Sequence, residues 1–331
     1  MITGGTAGIG RAVARRFARD GAKIALLARG KDGLRATAAE LVTLGASAAL
    51  GVRCDVADDA QVSAAAERVE RELGPIDIWI NNALATVFAR VDDLRADEIR
   101  RITDVTYLGY VWGTRAALHH MRPRGRGTII QVGSLQAYRA MPLQAAYAAA
   151  KHAIRGFTDA VRAELLHDRT GIELCMVQLP AVNTPLYEWC GNRMAFAPLP
   201  KPPVYQPEAA AEAIYRTARR PRREVLVGWP TIAAVLGQKV APGLVDRIAA
   251  RRGFERQLVP ADAYRAENLF EPVPGDHGVH GDFSLRARPS AAARTEVVLG
   301  ASGVQAIAIA ASVVALVAIG LGALKLRRAF G

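Results

Sequence analysis

At 331 residues the chain exceeds the usual single-domain length, yet one α/β domain with extensions can occupy it and bury a sizeable core. Its three cysteines, Cys54, Cys175 and Cys190, have neither disulfide nor metal-ligand spacing, which excludes a disulfide framework and suits buried thiols in a reducing compartment. A net charge of +12 and a pI near 10.1 suit an anionic partner. The arginines, however, are scattered over helical segments (Arg11, Arg15, Arg19) apart from "RRPRRE" at 219–224, and no nucleic-acid-binding signature accompanies them, so no nucleic-acid partner is expected.

The first element is "TGGTAGIGRAVA", residues 3–14, which opens a helix. Gly4, Gly8 and Gly10, with Thr6 and Ile9 between them, let the backbone turn tightly and approach a pyrophosphate, whose charge meets the amides of the helix N-terminus. Only Met1 and Ile2 precede Thr3, so the strand before this turn is expected to be stunted or to begin upstream, and the second reading is preferred. The opening has no basic segment followed by an apolar run, so no signal peptide is expected.

Short apolar runs at 23–28, 46–56, 76–83, 127–133, 172–180 and 224–229 read as buried strands, separated by helical stretches such as "DDAQVSAAAERVERELG". Strands alternating with helices predict a doubly wound parallel sheet, the Rossmann fold, over residues 1–230. Arg29 closes the second strand nineteen residues after Gly10, where NAD enzymes carry an acid for the ribose 2'-hydroxyl. A guanidinium there favours a 2'-phosphate, hence NADP over NAD. In the alanine-rich helix at 144–157, Tyr147 and Lys151 stand four apart and share a face, so the ammonium is expected within reach of the phenol.

Together "TGGTAGIG", Asp55 in "CDVAD", "NNA" at 81–83, Ser134 and "YAAAK" at 147–151 make residues 1 to about 230 resemble a short-chain dehydrogenase/reductase. The resemblance implies hydride transfer between nicotinamide and an alcohol or carbonyl. Ser134 would hold the substrate oxygen and Tyr147 would exchange its proton, while Lys151 would bind the nicotinamide ribose and favour the phenolate. Asp55, Val56, Asn82 and Thr184 would join the glycines, Arg29, Tyr147 and Lys151 in holding the cofactor. The fourth catalytic position, an Asn in that family, is Thr106 here, and its lone hydroxyl is expected to impair a proton relay because it lacks an amide's separate donor and acceptor ends. "NNAG" has become "NNAL" with Leu84, and Ala181 stands in "LPAVNTP" after the sixth strand. Thr106 and Leu84 motivate the alternative, a membrane-anchored nucleotide-binding scaffold without turnover.

Residues 183–205 fall where that family places its substrate loop; Tyr187, Trp189, Met194 and Phe196 make it apolar and suggest a hydrophobic substrate. Residues 231–296 read as an irregular extension. Within it Asp276, His277, His280 and Asp282 lie among Gly and Pro as a loop, and no metal is expected. Residues 297–324 read as a single transmembrane helix, since the uncharged stretch from Ala306 to Leu324 spans about 28 Å, close to the bilayer core. A basic tail, 325–331, follows. The expected arrangement is a homo-oligomer anchored in the lipid bilayer at its C-terminus, its catalytic domain facing the cytoplasm.

Overall fold

The computed structural model describes residues 1–254, 257–260, 266–288 and 296–299. Seven parallel strands form the central sheet: β1 (Ile2–Thr3), β2 (Lys23–Ala28), β3 (Ala48–Arg53), β4 (Ile78–Asn81), β5 (Arg126–Val132), β6 (Gly171–Gln178) and β7 (Glu224–Val227). An eighth strand, β8 (Glu296–Leu299), pairs antiparallel with β7, giving the order β3-β2-β1-β4-β5-β6-β7-β8. The order reverses between β1 and β4, which opens a crevice beyond their carboxyl ends. Short as it is, β1 is paired on both sides, Ile2 with Leu26 and with Ile80.

Both faces of the sheet are covered, because successive strand residues point to opposite sides. Ile24 and Leu26 join a cluster with Val13 of α1 (Gly8–Ala18) and Ile214 of α8 (Pro207–Arg219). Ala25 and Leu27 face Val62 of α3 (Asp59–Leu73), Ala117 of α5 (Gly109–Met121) and Leu165 of α6 (Ala145–His167). The start of α3 is fixed locally, where the Asp58 side chain accepts from the Gln61 amide at 3.1 Å. A second helix on the β2–β3 connection, α2 (Lys31–Thr43), and a short α4 (Ala96–Thr103) complete the layers. Between α4 and α5 the chain makes a π-helical turn, Asp104–Leu108, around Thr106.

The C-terminal part differs from the irregular extension expected. It begins as two helices, α9 (Gly228–Val240) and α10 (Pro242–Arg252), and residues 266–288 then fold back onto the sheet domain with Leu269 and Val279 buried. Apolar side chains at helical spacing are diluted by Gly and Pro in this stretch, so its order comes from contacts distant in sequence. Of the expected transmembrane span, residues 297–299 belong to β8, where the β-branched pair Val297–Val298 extends the free edge of β7. The rest of that span lies outside the described residues. No helix among the described residues is long and apolar enough to cross a membrane.

Candidate active site

Ser134 follows the carboxyl end of β5, and Tyr147 lies in the first turn of α6. Both line a cavity of about 390 Å³, and the Ser134 hydroxyl is close enough to Tyr147 to favour its phenolate. Lys151, one turn further along α6, is only 1% exposed, so it does not reach solvent. Its ammonium donates to the Val132 carbonyl at 2.8 Å and to the Tyr110 hydroxyl at 3.1 Å, and Nζ sits 5.7 Å from the Tyr147 ring centre. Burial pushes the Tyr147 phenol up to about 12, with the Ser134 hydrogen bond opposing, and pulls the Lys151 ammonium down to about 7. The expected lowering of the phenol by its neighbour is therefore absent in the protein alone. Tyr110 and Val132, not Tyr147, are the ammonium's hydrogen-bond partners.

Thr106 also departs from expectation. Its hydroxyl donates to the Ala85 carbonyl and accepts from the Ala85 amide, each at 2.9 Å, and the residue is fully buried. One hydroxyl thus serves both backbone groups of one residue, and both of its hydrogen bonds are to Ala85 rather than to Tyr147 or Lys151. Its place in the site is that of a clamp: it ties the segment after β4, with Asn82 and Leu84, to the π-turn.

The glycine turn is as tight as its composition suggests. A Cβ on Gly10 would lie 2.1 Å from the Gly4 carbonyl oxygen, and Gly4, at φ +63°, would bring one to 2.9 Å from the Ala83 Cα. Asn82 holds the turn from the side, donating to the carbonyls of Thr3 at 3.0 Å and Gly4 at 3.1 Å. Ile9, Asn82 and Thr184 line the larger cavity. A second one, about 160 Å³, is lined by Gly4, Thr6, Arg29, Asp55 and Val56.

The sequence gives no local sign of what covers this second cavity. Asn268, Pro272, Val273, Gly275 and His277 line it, so residues 266–283 form a strap across the glycine turn. The Gly8 amide donates to the Gly278 carbonyl at 3.1 Å, and Phe283 donates to the Asn183 side chain at 3.1 Å. Arg29, expected at the edge of the ribose, donates instead to the carbonyls of Asn268, Leu269 and Phe270. Burial, reinforced by Arg101, lowers its pKa from the ordinary value. Asp55 is bound by Arg101 at 2.6 Å, and Asp276 by Arg11. His280 meets Glu208 at 2.8 Å, and no group of three metal-ligating side chains gathers among the described residues.

Of the loop aromatics, only Tyr187 of α7 (Leu186–Trp189) lines the larger cavity. Trp189 lines the second cavity and stacks edge-on with His277, Met194 packs in one cluster with Phe88 and Tyr187 of the cavity wall, and Phe196 is exposed. Two-residue pairings of Val87–Phe88 with Gly191–Asn192 and of Ala197–Pro198 with Leu258–Val259 hold this loop against the rest. The remaining wall is largely apolar: Leu84, Phe88, Met141, Leu179 and Leu199, with Ala233 of α9 and Val245 and Ile248 of α10. Thr86, Gln136, Gln144 and Gln257 are buried polar members of the lining, which Arg139 and Lys201 also join.

A family profile for short chain dehydrogenase matches residues 1–192. An "Uncharacterized oxidoreductase YxnA" of Bacillus subtilis is 32% identical over 286 residues, covering 84% of this chain and 79% of that protein. The chain belongs to the short-chain dehydrogenase/reductase family. The cattle protein "Dehydrogenase/reductase SDR family member 7B" is 30% identical over 266 residues, 76% of this chain and 80% of the relative. Among solved structures, an alcohol dehydrogenase from Thermococcus sibiricus complexed with 5-hydroxy-NADP superposes with a TM-score of 0.57 at 26% identity, covering 68% of this chain and 93% of that one. This short-chain dehydrogenase/reductase is thus an NAD(P)-dependent oxidoreductase, and the glycine turn, which a Cβ would fill, fits the cofactor.

Proposed function

We propose that the chain reduces or oxidises an apolar carbonyl or alcohol with NADP(H), tethered to a membrane by residues 306–324 with its catalytic part in the cytoplasm. The carrying observation is that Ser134, Tyr147 and Lys151 together line a largely apolar cavity of about 390 Å³. In this reading Ser134 orients the substrate oxygen, Tyr147 donates or removes its proton, and Lys151 holds positive charge behind the phenol. Bound nicotinamide supplies or accepts the hydride. Preference for NADP rests on the Arg29 guanidinium beside the second cavity and on the NADP analogue carried by the archaeal alcohol dehydrogenase.

The scaffold alternative keeps its motive in Leu84, and in Thr106, whose hydroxyl is hydrogen-bonded to Ala85 at both its donor and its acceptor side. Following NADPH absorbance across a panel of aldehydes and ketones of increasing apolar length tests the reading. Turnover that rises with apolar length and falls by about a hundredfold or more in Tyr147→Phe is expected. A protein that binds NADPH yet is inert across the panel returns the scaffold.

A further inference from the structure

We infer that Tyr110 is a positioning residue of this active site: its hydroxyl fixes the Lys151 ammonium so that one N–H remains directed to the cofactor and the Tyr147 side. This rests on the reaction assigned above. An ammonium has three N–H donors. Two are engaged, at 2.8 Å with the Val132 carbonyl and at 3.1 Å with Tyr110 Oη. Tyr110 donates its own proton to the same carbonyl at 2.9 Å, leaving its lone pairs for the ammonium. The end of β5, α5 and α6 are thereby joined at three polar atoms, with Tyr110 and Lys151 each 1% exposed.

A purely architectural role accounts for the ring but not for the oxygen. Tyr110 packs with Ile154 and Met176, beside Tyr107, and phenylalanine would fill that space. A buried ammonium, by contrast, is costly unless its protons are accepted. The ammonium also lies 4.6 Å from the Tyr110 ring centre, a second attraction from the same side chain. The titratable groups around Lys151 are Tyr110 from α5 and Tyr147 from α6, with Tyr187 of α7 beyond Tyr147; β5 offers the Val132 carbonyl, and Ser134 beyond it a hydroxyl. Among the described residues no carboxylate acts on the ammonium, so the phenol oxygen carries the weight an acid would otherwise bear.

Tyr110→Phe removes one oxygen and keeps the ring. With an acceptor lost, the ammonium gives up its proton at lower pH and the phenolate of Tyr147 loses its counter-charge. The rising limb of the pH profile for alcohol oxidation should therefore move up by about one unit, and the NADPH dissociation constant measured without substrate should rise by about tenfold. Site-specific 3-fluorotyrosine at position 110, a poorer acceptor of nearly the same shape, should move both in the same direction by less. It also serves as the probe if Tyr110→Phe fails to fold. A limb and a dissociation constant unchanged from the native protein in either variant overturn the inference, even if melting temperature falls. If instead Tyr147→Phe retains full turnover, the reaction assignment itself fails, and the two outcomes are separable.

Discussion

Lys151 is a cation whose burial favours its neutral form. Its pKa in the folded protein is about 7 against an ordinary 10.5, so between those values the unfolded chain holds more protons than the folded one. Stability contributed at this position must then rise with pH across that window and be lowest below about 7. Thermal melting of the cofactor-free protein should gain on that of Lys151→Met as pH is raised from 7 towards 10; parallel curves would refute the burial argument. Ser134, Tyr147 and Lys151 were all legible in the sequence because one strand end and one helix face fix them. Tyr110 was not: a tyrosine after a glycine in a helix looks like core, and only the approach of α5 to α6 reveals its partner. The partner of Thr106 was not legible for a related reason, since Ala85 lies 21 residues away in sequence.

At the scale of elements, the strap of residues 266–283 decides what Arg29 can do. Its guanidinium is tied to three carbonyls of the strap, so Arg29→Asp has two separable consequences. Weaker NADPH binding by roughly tenfold to a hundredfold with NADH retained or improved assigns Arg29 to the 2'-phosphate. Equal loss for both cofactors assigns it to the strap alone. Asp276 anchors the strap from its other side; burial opposes its ionisation, but the Arg11 guanidinium prevails and holds the carboxyl below its ordinary range. A depressed carboxylate pKa contributes stability above the unfolded value of about 3.9 and loses it as pH falls below, so the anchor is at full strength at neutral pH. Because Asp276 is part exposed, Asp276→Asn should weaken the strap by only about 1 kcal/mol, or roughly fivefold faster amide exchange around Gly278. Unaltered exchange there would show the ion pair to be idle. None of this was legible from residues 267–283 themselves, whose Gly and Pro content reads as loop; their order comes from Leu269 and Val279 entering the core.

For the whole molecule, the parallel sheet and its helices followed from alternation alone, because strands buried on both faces are continuous apolar runs. The extension escaped the same reading, since α9 and α10 lack a clean apolar stripe and β8 joins the sheet only by edge pairing. The membrane proposal makes its own demand. The full chain should sediment with membranes and resist release by alkaline carbonate, whereas a chain ending at residue 299 should be freed. Release of the full chain by salt would reduce the attachment to surface charge, for which the +12 balance is adequate cause.

The strap also imposes an order in time. Arg29 and Leu269, joined in the finished protein, are 240 residues apart, a gap of roughly 10 to 50 s at ordinary rates of translation. During that interval the residues of the glycine turn and helix α1 have been made but those of their cover have not. Residues 266–283 are therefore made after everything else that surrounds the glycine turn, and the strap is laid over it last. Lifting the strap in the finished protein would part Gly278 from the Gly8 amide and Asp276 from Arg11.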